Sequence, residues 1–410
     1  MLHKTKTGEA GMVAMVAGQN PGMDADIFDA FIDQLKRYVR ERLIPAEEAV
    51  IAADRVPDDI LDEMRAMGLF GITIPQDYGG AGMNVSQYIE TVMQLSYAAP
   101  AFRSTMSINV GMVTSGIKNF GTPEQKAHWL PRIASGEIAS FGLTEPGSGS
   151  DSAAMQTFAR AEGNGYVLNG TKRYITNAPH AKIALIMART SKEPLPKNAH
   201  VSAFIIDLET PGISVGSPDK KMGQAGAHIA DIIMENVHVP GDALIGGVEG
   251  QGFKTAMQSL DNGRLSVAAM GVGMGRRALD SALRYANERK AFGEPIANFQ
   301  LIQAMLADSD AELYAAECMI ADAAARTDWG ENIIRKAAAA KMFATETCGR
   351  VVDRCVQIYG GAGYLAEYDA ERFFRDARIL RIYEGTTQIM QLQVAKQLLR
   401  AFAEDGTAWG

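Results

Sequence analysis

Two long stretches of helical periodicity enclose a stretch of short β-like runs, and this order limits the chain to few folds. Apolar residues recur at helical spacing from about residue 24 to 135 and again from about 250 onward. The runs between them lie among Gly, Pro and Asp, with no helix between strands, which argues against a βαβ unit. The predicted fold class is therefore α+β, with an N-terminal helical domain, a middle β-domain and a C-terminal helical bundle.

The predicted domains follow these changes of pattern. We expect an N-terminal tail at 1–23, a helical domain at 24–138, a β-domain at 139–247 and a helical bundle at 248–410. The tail is interpreted as a loose or strand-swapped segment, because its apolar piece is too short and too glycine-rich for a signal peptide. Ala-rich runs at roughly 252–290, 298–327, 331–359 and 387–404 predict a four-helix bundle.

Local signals predict several element ends. Pro45 is expected to close the first helical run, which begins near Ile27. Within the β-domain, Tyr166 to Lys172 is expected to be a strand followed by a turn at Asn169-Gly170. Further short strands are expected at 183–188, 202–206, 230–234 and 237–239.

Charge and composition argue against several classes of function. The 410 residues carry a formal charge of −8 and no basic block, so nucleic acid is not an expected partner. No apolar stretch is long enough to span a membrane. The six histidines and three cysteines show no metal-ligand spacing, so no metal is expected. The odd cysteine number predicts reduced thiols and a cytoplasmic location.

The stretch from Arg378 to Ile389 combines an acid, a glycine and two hydroxyls immediately before a helix. The following apolar residues lie at steps of three and four: Ile389, Leu392, Ala395, Leu399 and Phe402. Thr386 or Thr387 suits the N-cap, which places Glu384 in the turn before the helix. Gly385 lets another molecule approach the backbone closely. The alternative is that Glu384 is a first-turn acid that favours the helix dipole.

Four other segments are rich in hydroxyls, glycines or cations. The loop Phe141 to Asp151 suits a polar, flat ligand, or else it is a plain interdomain loop. Tyr174 and Thr176 share a strand face that could contact a ring, although a half-buried strand is the better explanation for this piece alone. Arg289 suits a phosphate or ends a helix. The glycines of 357–364 suit a diphosphate or stop a helix.

The glycines of Gly271-Val272-Gly273-Met274-Gly275 resemble part of a dinucleotide-binding fingerprint. They lie inside a helical run and do not follow a strand of a βαβ unit. We therefore expect these small residues to permit close helix packing.

Taken together and in this order, these segments resemble the acyl-CoA dehydrogenase family of flavoproteins over roughly Asp24 to Phe402. The resemblance implies a homo-oligomer, usually a tetramer, with one FAD per subunit. It also implies oxidation of an acyl-CoA thioester to the trans-2-enoyl-CoA, as in fatty acid β-oxidation, with electrons passing to an electron-transferring flavoprotein. Glu384 would take the α-proton as the catalytic base while a hydride passes from Cβ to flavin N5.

The resemblance also implies binding residues. Those expected to bind FAD, some from a neighbouring subunit, are Phe141, Leu143, Thr144, Gly149, Ser150, Tyr174, Ile175, Thr176, Arg289, Phe292, Phe299, Gln300, Gln357, Gly360, Gly361, Thr386 and Gln388. Those expected to bind the acyl-CoA are Ser150, Asp261, Arg264, Tyr383 and Gly385. Arg264 is also expected to support the loop at Glu384. Some family members place the base at the position of Gly263, which carries no acid in this chain.

Two alternative functions share these motifs. An acyl-CoA oxidase or flavin monooxygenase-like relative would reduce oxygen and release peroxide without another acceptor. A non-catalytic acyl-CoA-binding or assembly protein would lack the acid or the FAD loops, and both are intact in the sequence.

Overall fold

The N-terminal part of the chain is helical. The computed structural model describes residues 21–407, so most of the predicted tail lies outside the described residues. The helices are α1 (Ala25–Tyr38), α2 (Ile44–Ala53), α3 (Asp58–Ala66), α4 (Val85–Leu95), α5 (Pro100–Ser107), α6 (Thr114–Phe120) and α7 (Pro123–Ala134). The expectation that Pro45 closes the first run was wrong. It lies in the first turn of α2, and a π-helical segment, Val39–Leu43, joins α1 to α2 in one continuous helical run, so the proline falls where the regular hydrogen bonding is already interrupted.

The middle part of the chain forms a seven-stranded sheet. Its strands are β1 (Ala139–Gly142), β2 (Phe158–Glu162), β3 (Gly165–Thr176), β4 (Ile183–Arg189), β5 (Val201–Asp207), β6 (Ile213–Val215) and β7 (Ile229–Pro240). Their order is β1-β4-β2-β3-β7-β6, with β5 paired to the other strands through β4. Strands β1 and β4 are parallel, whereas β3 and β7 form a long antiparallel pair.

The predicted turn at Asn169-Gly170 is absent, and this expectation was wrong. Strand β3 continues through it and pairs with β7 on both sides, with a register shift between Leu168 and Gly170. The side chain of Asn169 accepts a hydrogen bond from the backbone of Asn236 (2.9 Å), which fixes a bulge instead of a turn. The two short strands predicted at 230–239 are accordingly the single strand β7.

The C-terminal part contains the four predicted helices and one more. They are α8 (Gly252–Glu288), α9 (Gln300–Asp328), α10 (Ile334–Tyr359), α11 (Asp369–Ala377) and α12 (Thr387–Asp405), and α11 was not predicted. A short hairpin of β8 (Lys290–Ala291) and β9 (Glu294–Pro295) joins α8 to α9. A Cβ at Gly273 would clash with the backbone of Met93 in α4, and one at Gly271 would press tightly against Ala344 of α10, which confirms the packing role expected of these glycines.

Helix α8 joins three hydrophobic cores. Its Ala256 packs in a core with α7 and the strands β1, β4 and β5, while Leu265 packs with the N-terminal helices. Val267 packs in the bundle core with residues of α10 and α11. The three parts of the fold therefore meet along this helix. In residues 21–407, no helix is long and apolar enough to cross a membrane.

Candidate active site

Glu384 lies in a left-handed turn immediately before α12. The backbone φ is +53° at Glu384 and +96° at Gly385. Thr386 is the N-cap of the helix, and its hydroxyl accepts a hydrogen bond from the N–H of Ile389 (3.2 Å). The predicted cap and the position of Glu384 outside the helix are both confirmed. A non-glycine residue with positive φ is uncommon and is found most often where function requires it.

The carboxylate of Glu384 is poorly solvated. Its Oε2 is buried and has no hydrogen-bond partner among the described residues. The same oxygen packs against Gly263 of α8. Burial raises the pKa of Glu384, and the charges of Arg103, Lys341 and Arg264 oppose that rise. A desolvated carboxylate of this kind suits a general base that works near neutral pH.

Two of these cations are deeply buried. Arg103 of α5 is 4% exposed, and its Nη2 donates a hydrogen bond to the Ser266 hydroxyl of α8 (2.5 Å). Tyr88 of α4 bonds the same hydroxyl (2.9 Å). Lys341 of α10 is fully buried, and its Nζ donates to the carbonyl oxygen of Gly385 (2.7 Å).

Sequence reasoning missed both Arg103 and Lys341. Lys341 stands in an Ala-rich run, four residues after the buried Ala337 and three before the buried Ala344, and so on an apolar helix face. A charged residue on such a face is a signal that could have been used. Arg103 has a weaker signal, because the whole of α5 is buried and shows no single apolar face.

The predicted substrate residues of α8 form a pair. Arg264 Nη1 lies 2.6 Å from Asp261 Oδ1. Arg264 makes no hydrogen bond to the turn at Glu384 within residues 21–407, and its Nε is buried without a partner. It therefore supports the turn through charge, because it lowers the pKa of Glu384. Tyr383 donates a hydrogen bond from its hydroxyl to the sulfur of Met270 (3.4 Å).

Two of the predicted cofactor segments lie side by side. The backbone N–H of Arg173 donates to the carbonyl oxygen of Thr144 (2.8 Å). The residue after Thr144 and the residue before Arg173 are also in contact, because Lys172 Nζ donates to Glu145 Oε1 (2.6 Å) in a buried ion pair. These contacts join the loop that follows β1 to the end of β3.

Tyr174 does not lie in a regular strand, contrary to expectation. Its φ is +58°, and the β3–β7 register shifts between Lys172 and Ile175, so Tyr174 lies in a bulge and does not alternate regularly with Thr176. Its ring is 56% exposed. The bulge turns an aromatic side chain outward beside the loop that contains Thr144.

The end of β3 is also tied to α5. Asn177 donates from its side-chain amide to the carbonyl oxygens of Ser104 (3.1 Å) and Thr105 (3.2 Å). These two residues follow Arg103, whose charge acts on Glu384. The two cofactor segments and the base turn are therefore linked through one short helix.

The remaining predicted cofactor residues lie in three places. Thr386 and Gln388 belong to the cap and first turn of α12. The others lie at the α8–α9 connection and the end of α10, and all but the half-buried Phe299 are exposed: Arg289, Phe292, Phe299, Gln300, Gln357, Gly360 and Gly361. Within this single chain their role in binding FAD stays a prediction.

Comparison with known proteins gives a consistent result. The chain matches the "Acyl-CoA dehydrogenase, N-terminal domain" at 27–137, the "middle domain" at 140–237 and the "C-terminal domain" at 250–399. It is 40% identical over 369 residues to the "Probable acyl-CoA dehydrogenase YngJ" of Bacillus subtilis, covering 90% of this chain and 97% of that protein. It is 39% identical over 372 residues to the "Caffeyl-CoA reductase-Etf complex subunit CarC" of Acetobacterium woodii, covering 90% and 97%.

A solved glutaryl-CoA dehydrogenase from Mycobacterium smegmatis, in complex with FADH2, has the same fold. It is 27% identical to this chain, with a TM-score of 0.84, and the match covers 94% of this chain and 96% of that one. The paired segments at Thr144 and Arg173 fit such a cofactor. Gly147 and Gly149 have open space beside their Cα atoms, and the neighbouring Thr144 and Ser150 supply hydroxyls. The chain belongs to the acyl-CoA dehydrogenase family and is an FAD-dependent oxidoreductase.

Proposed function

We propose that the protein oxidises an acyl-CoA thioester to the trans-2-enoyl-CoA, with Glu384 as the base. The observation that supports this most is the buried, unpartnered Oε2 of Glu384, whose pKa is raised by burial. Glu384 takes the proton from Cα of the substrate, and that C–H electron pair becomes part of the new double bond. FAD, when bound, supplies the acceptor for the hydride that leaves Cβ.

The turn at Glu384 also suits the substrate carbonyl. Within residues 21–407, the backbone N–H of Glu384 makes no hydrogen bond, so it is available to the thioester oxygen. A donor that points to this oxygen stabilises the charge that develops as the α-proton leaves. We propose that Gly385 borders the thioester and that Arg264, Asp261 and Tyr383 form the adjoining wall of the substrate site.

The test is Glu384→Gln in the FAD-loaded enzyme. The variant should keep its FAD but lose substrate-induced flavin bleaching on the order of 10²- to 10⁴-fold in stopped flow. Glu404→Gln is the control, because Glu404 is an exposed acid further along the chain in α12. Bleaching of Glu384→Gln at a near wild-type rate would show that another group is the base.

We propose an electron-transferring flavoprotein as the acceptor and the cytoplasm as the location. The support is the similarity to a subunit of a complex with such a flavoprotein. Reduced enzyme should be reoxidised rapidly by an added electron-transferring flavoprotein and slowly by air. Rapid peroxide release without that acceptor would favour an oxidase, and purified protein that cannot be loaded with FAD would favour a non-catalytic role.

We also propose a homo-oligomer, most simply a tetramer. The apolar run of α12 has the predicted helical spacing, yet Leu392, Leu399 and Phe402 are exposed in the single chain. Phe292, a predicted FAD contact, is 98% exposed. Apolar surface of this extent indicates contact with other subunits. Sedimentation of the FAD-loaded protein tests this, and a monomer at micromolar concentration would contradict it.

Among acyl groups, we propose one that ends in a carboxylate. Arg103 is buried beside the base, its Nε has no hydrogen-bond partner and no acidic side chain of the described residues forms an ion pair with it. The unpartnered Nε would be satisfied by a carboxylate at the distal end of an acyl chain, in a charge-assisted hydrogen bond. A glutaryl-CoA dehydrogenase among the structural relatives acts on an acyl group of this kind.

Substrate pairs of equal length test this proposal. Flavin bleaching by glutaryl-CoA should exceed that by the uncharged valeryl-CoA, and Arg103→Met should reverse the preference. Valeryl-CoA is the matched control, because its acyl chain has the same length as glutaryl-CoA and lacks the terminal carboxylate. If Arg103→Met lowers the rate of flavin bleaching equally with both substrates, Arg103 serves only as a counter-charge to Glu384.

A further inference from the structure

Helix α10 holds the turn of the catalytic base at two points. Lys341 Nζ donates to the carbonyl oxygen of Gly385 (2.7 Å). Five residues later on the same helix, Glu346 accepts a hydrogen bond from the hydroxyl of Thr387 (2.6 Å) and pairs with Arg381 (3.2 Å). Lys341 therefore contacts the residue directly after Glu384, and Glu346 contacts one residue on each side of the turn.

The turn needs such support because its backbone is strained. Glu384 and Gly385 are successive residues with positive φ, and a non-glycine residue in that region persists only when its surroundings hold it. The Gly385 carbonyl could rotate if it lost its donor. Rotation would move the adjoining Glu384 side chain away from Gly263, against which it packs.

Lys341 differs from the other charged groups that face Glu384. Arg264 of α8 is paired with Asp261. Arg103 of α5 bonds a hydroxyl of α8. Lys341 alone among these three cations donates to the base turn, and no acidic side chain of the described residues lies within ion-pair distance of it. The uncharged phenols of Tyr88 and Tyr383 complete the titratable groups that act on or beside Glu384.

We propose that Lys341 is a positioning residue for the base. It fixes the Glu384–Gly385 turn through the Gly385 carbonyl, and its charge keeps Glu384 ionised at working pH. The inference rests on the proposed role of Glu384. Burial lowers the pKa of Lys341 to about 8, so most of its ammonium groups are charged at neutral pH.

The test compares three substitutions at one position. Lys341→Met removes the donor and the charge, Lys341→Gln keeps an amide donor without charge, and Lys341→Arg keeps the charge. Lys336→Met is the matched control, because Lys336 lies on the same helix and pairs with Asp322 near the surface. The rate of flavin bleaching is measured against pH for each FAD-loaded variant with a saturating acyl-CoA.

Loss of the Lys341 charge should move the acid limb of the pH–rate profile to higher pH. A nearby opposite charge lowers a carboxyl pKa by about one unit or more, so the limb should rise by at least ~1 pH unit in Lys341→Met and Lys341→Gln. It should stay within about 0.3 unit of wild type in Lys341→Arg and in the control. A purely structural lysine would lower the rate at all pH values without moving the limb.

A second readout does not need turnover. An acyl-CoA analogue with sulfur in place of the β-methylene can lose its α-proton but cannot release a hydride. Its charge-transfer absorbance with the oxidised flavin should develop at correspondingly higher pH in the uncharged variants. If Lys341→Met does not retain FAD, the comparison of Lys341→Gln with Lys341→Arg decides.

Two outcomes separate the two proposals. In the first, the acid limbs of Lys341→Met and Lys341→Gln coincide with that of the Lys336→Met control, while Glu384→Gln is inactive. Lys341 then has no positioning role, and Glu384 remains the base. If Glu384→Gln bleaches normally, the proposed function itself fails.

Discussion

The carboxylate of Glu384 occupies the space that a side chain at Gly263 of α8 would fill. A methyl group at Gly263 would overlap Oε2 of Glu384. Some family members are expected to place an acid at the position of Gly263. Of these two positions, only Glu384 carries an acid in this chain. A side chain at position 263 would therefore have to displace the carboxylate of Glu384.

Gly263→Ala should therefore impair catalysis without unfolding the protein. The new Cβ would displace the Glu384 carboxylate, and a misplacement of about 1 Å can cost ~10²-fold in rate. Flavin bleaching in stopped flow measures this, with bound FAD as the check on integrity. Gly216→Ala is the control, because a Cβ there makes only ordinary contacts with Asp231. Equal rates in the two variants would contradict the close packing.

Glu384→Gln should change how stability depends on pH. Burial raises the folded-state pKa of Glu384, so the folded protein favours the protonated acid. This contribution is fully present below the ordinary glutamate pKa and is lost as the pH rises through the folded value. The melting temperature of Glu384→Gln should exceed that of wild type more at pH 8 than at pH 5, by about 2 °C. A constant difference across this range would argue against the raised pKa.

The ion pair of Lys172 and Glu145 should be important for stability. Both side chains are buried, and Glu145 also accepts hydrogen bonds from the backbone of Gln156 (2.6 Å) and Thr157 (3.0 Å). Glu145→Gln leaves the ammonium buried without its counter-charge, which should lower the free energy of unfolding by about 3–5 kcal/mol. Urea unfolding measures it. Glu209→Gln, in the exposed pair with Lys182, should change it by less than about 0.5 kcal/mol.

Glu47 should connect the N-terminal helices to the end of the chain. It is 5% exposed and accepts hydrogen bonds from the N–H of Ala99 and from Arg372 of α11, each at 2.8 Å. Glu47→Ala removes one of the carboxylates that face the buried Arg372 and leaves the N–H of Ala99 without its acceptor, so the melting temperature should fall by several degrees. The adjacent, exposed Glu48→Ala should leave it unchanged. Equal melting temperatures would show that the pair is neutral.

Local sequence signals predicted the base turn well. The order Glu384, Gly385, Thr386 fixes an acid, a flexible backbone and a helix cap within three residues, and the structure shows each of them as expected. The long helices of the bundle were predicted for a similar reason, because apolar spacing along a helix is a property of adjacent turns.

Features that depend on distant partners were predicted less well. Asn169-Gly170 has the composition of a turn. Strand β7 nevertheless pairs with β3 on both sides of these residues, and its hydrogen bonds keep β3 extended. Tyr174 was assigned to a strand face because a bulge cannot be recognised without the register. Lys341 and Arg103 were overlooked because their partners, Gly385 and Ser266, are far away in sequence.

The spacing of close contacts along α8 fixes the relative positions of the elements that pack against it. Close contacts mark it at Gly252 against β5, at Gly263 against Glu384 and at Gly271 against α10. One residue inserted between the first two would rotate everything downstream by about 100°, because a helical turn takes 3.6 residues. An insertion within α8 should therefore disrupt these contacts. Engineered insertions or fusions should be placed beyond the ends of the helix.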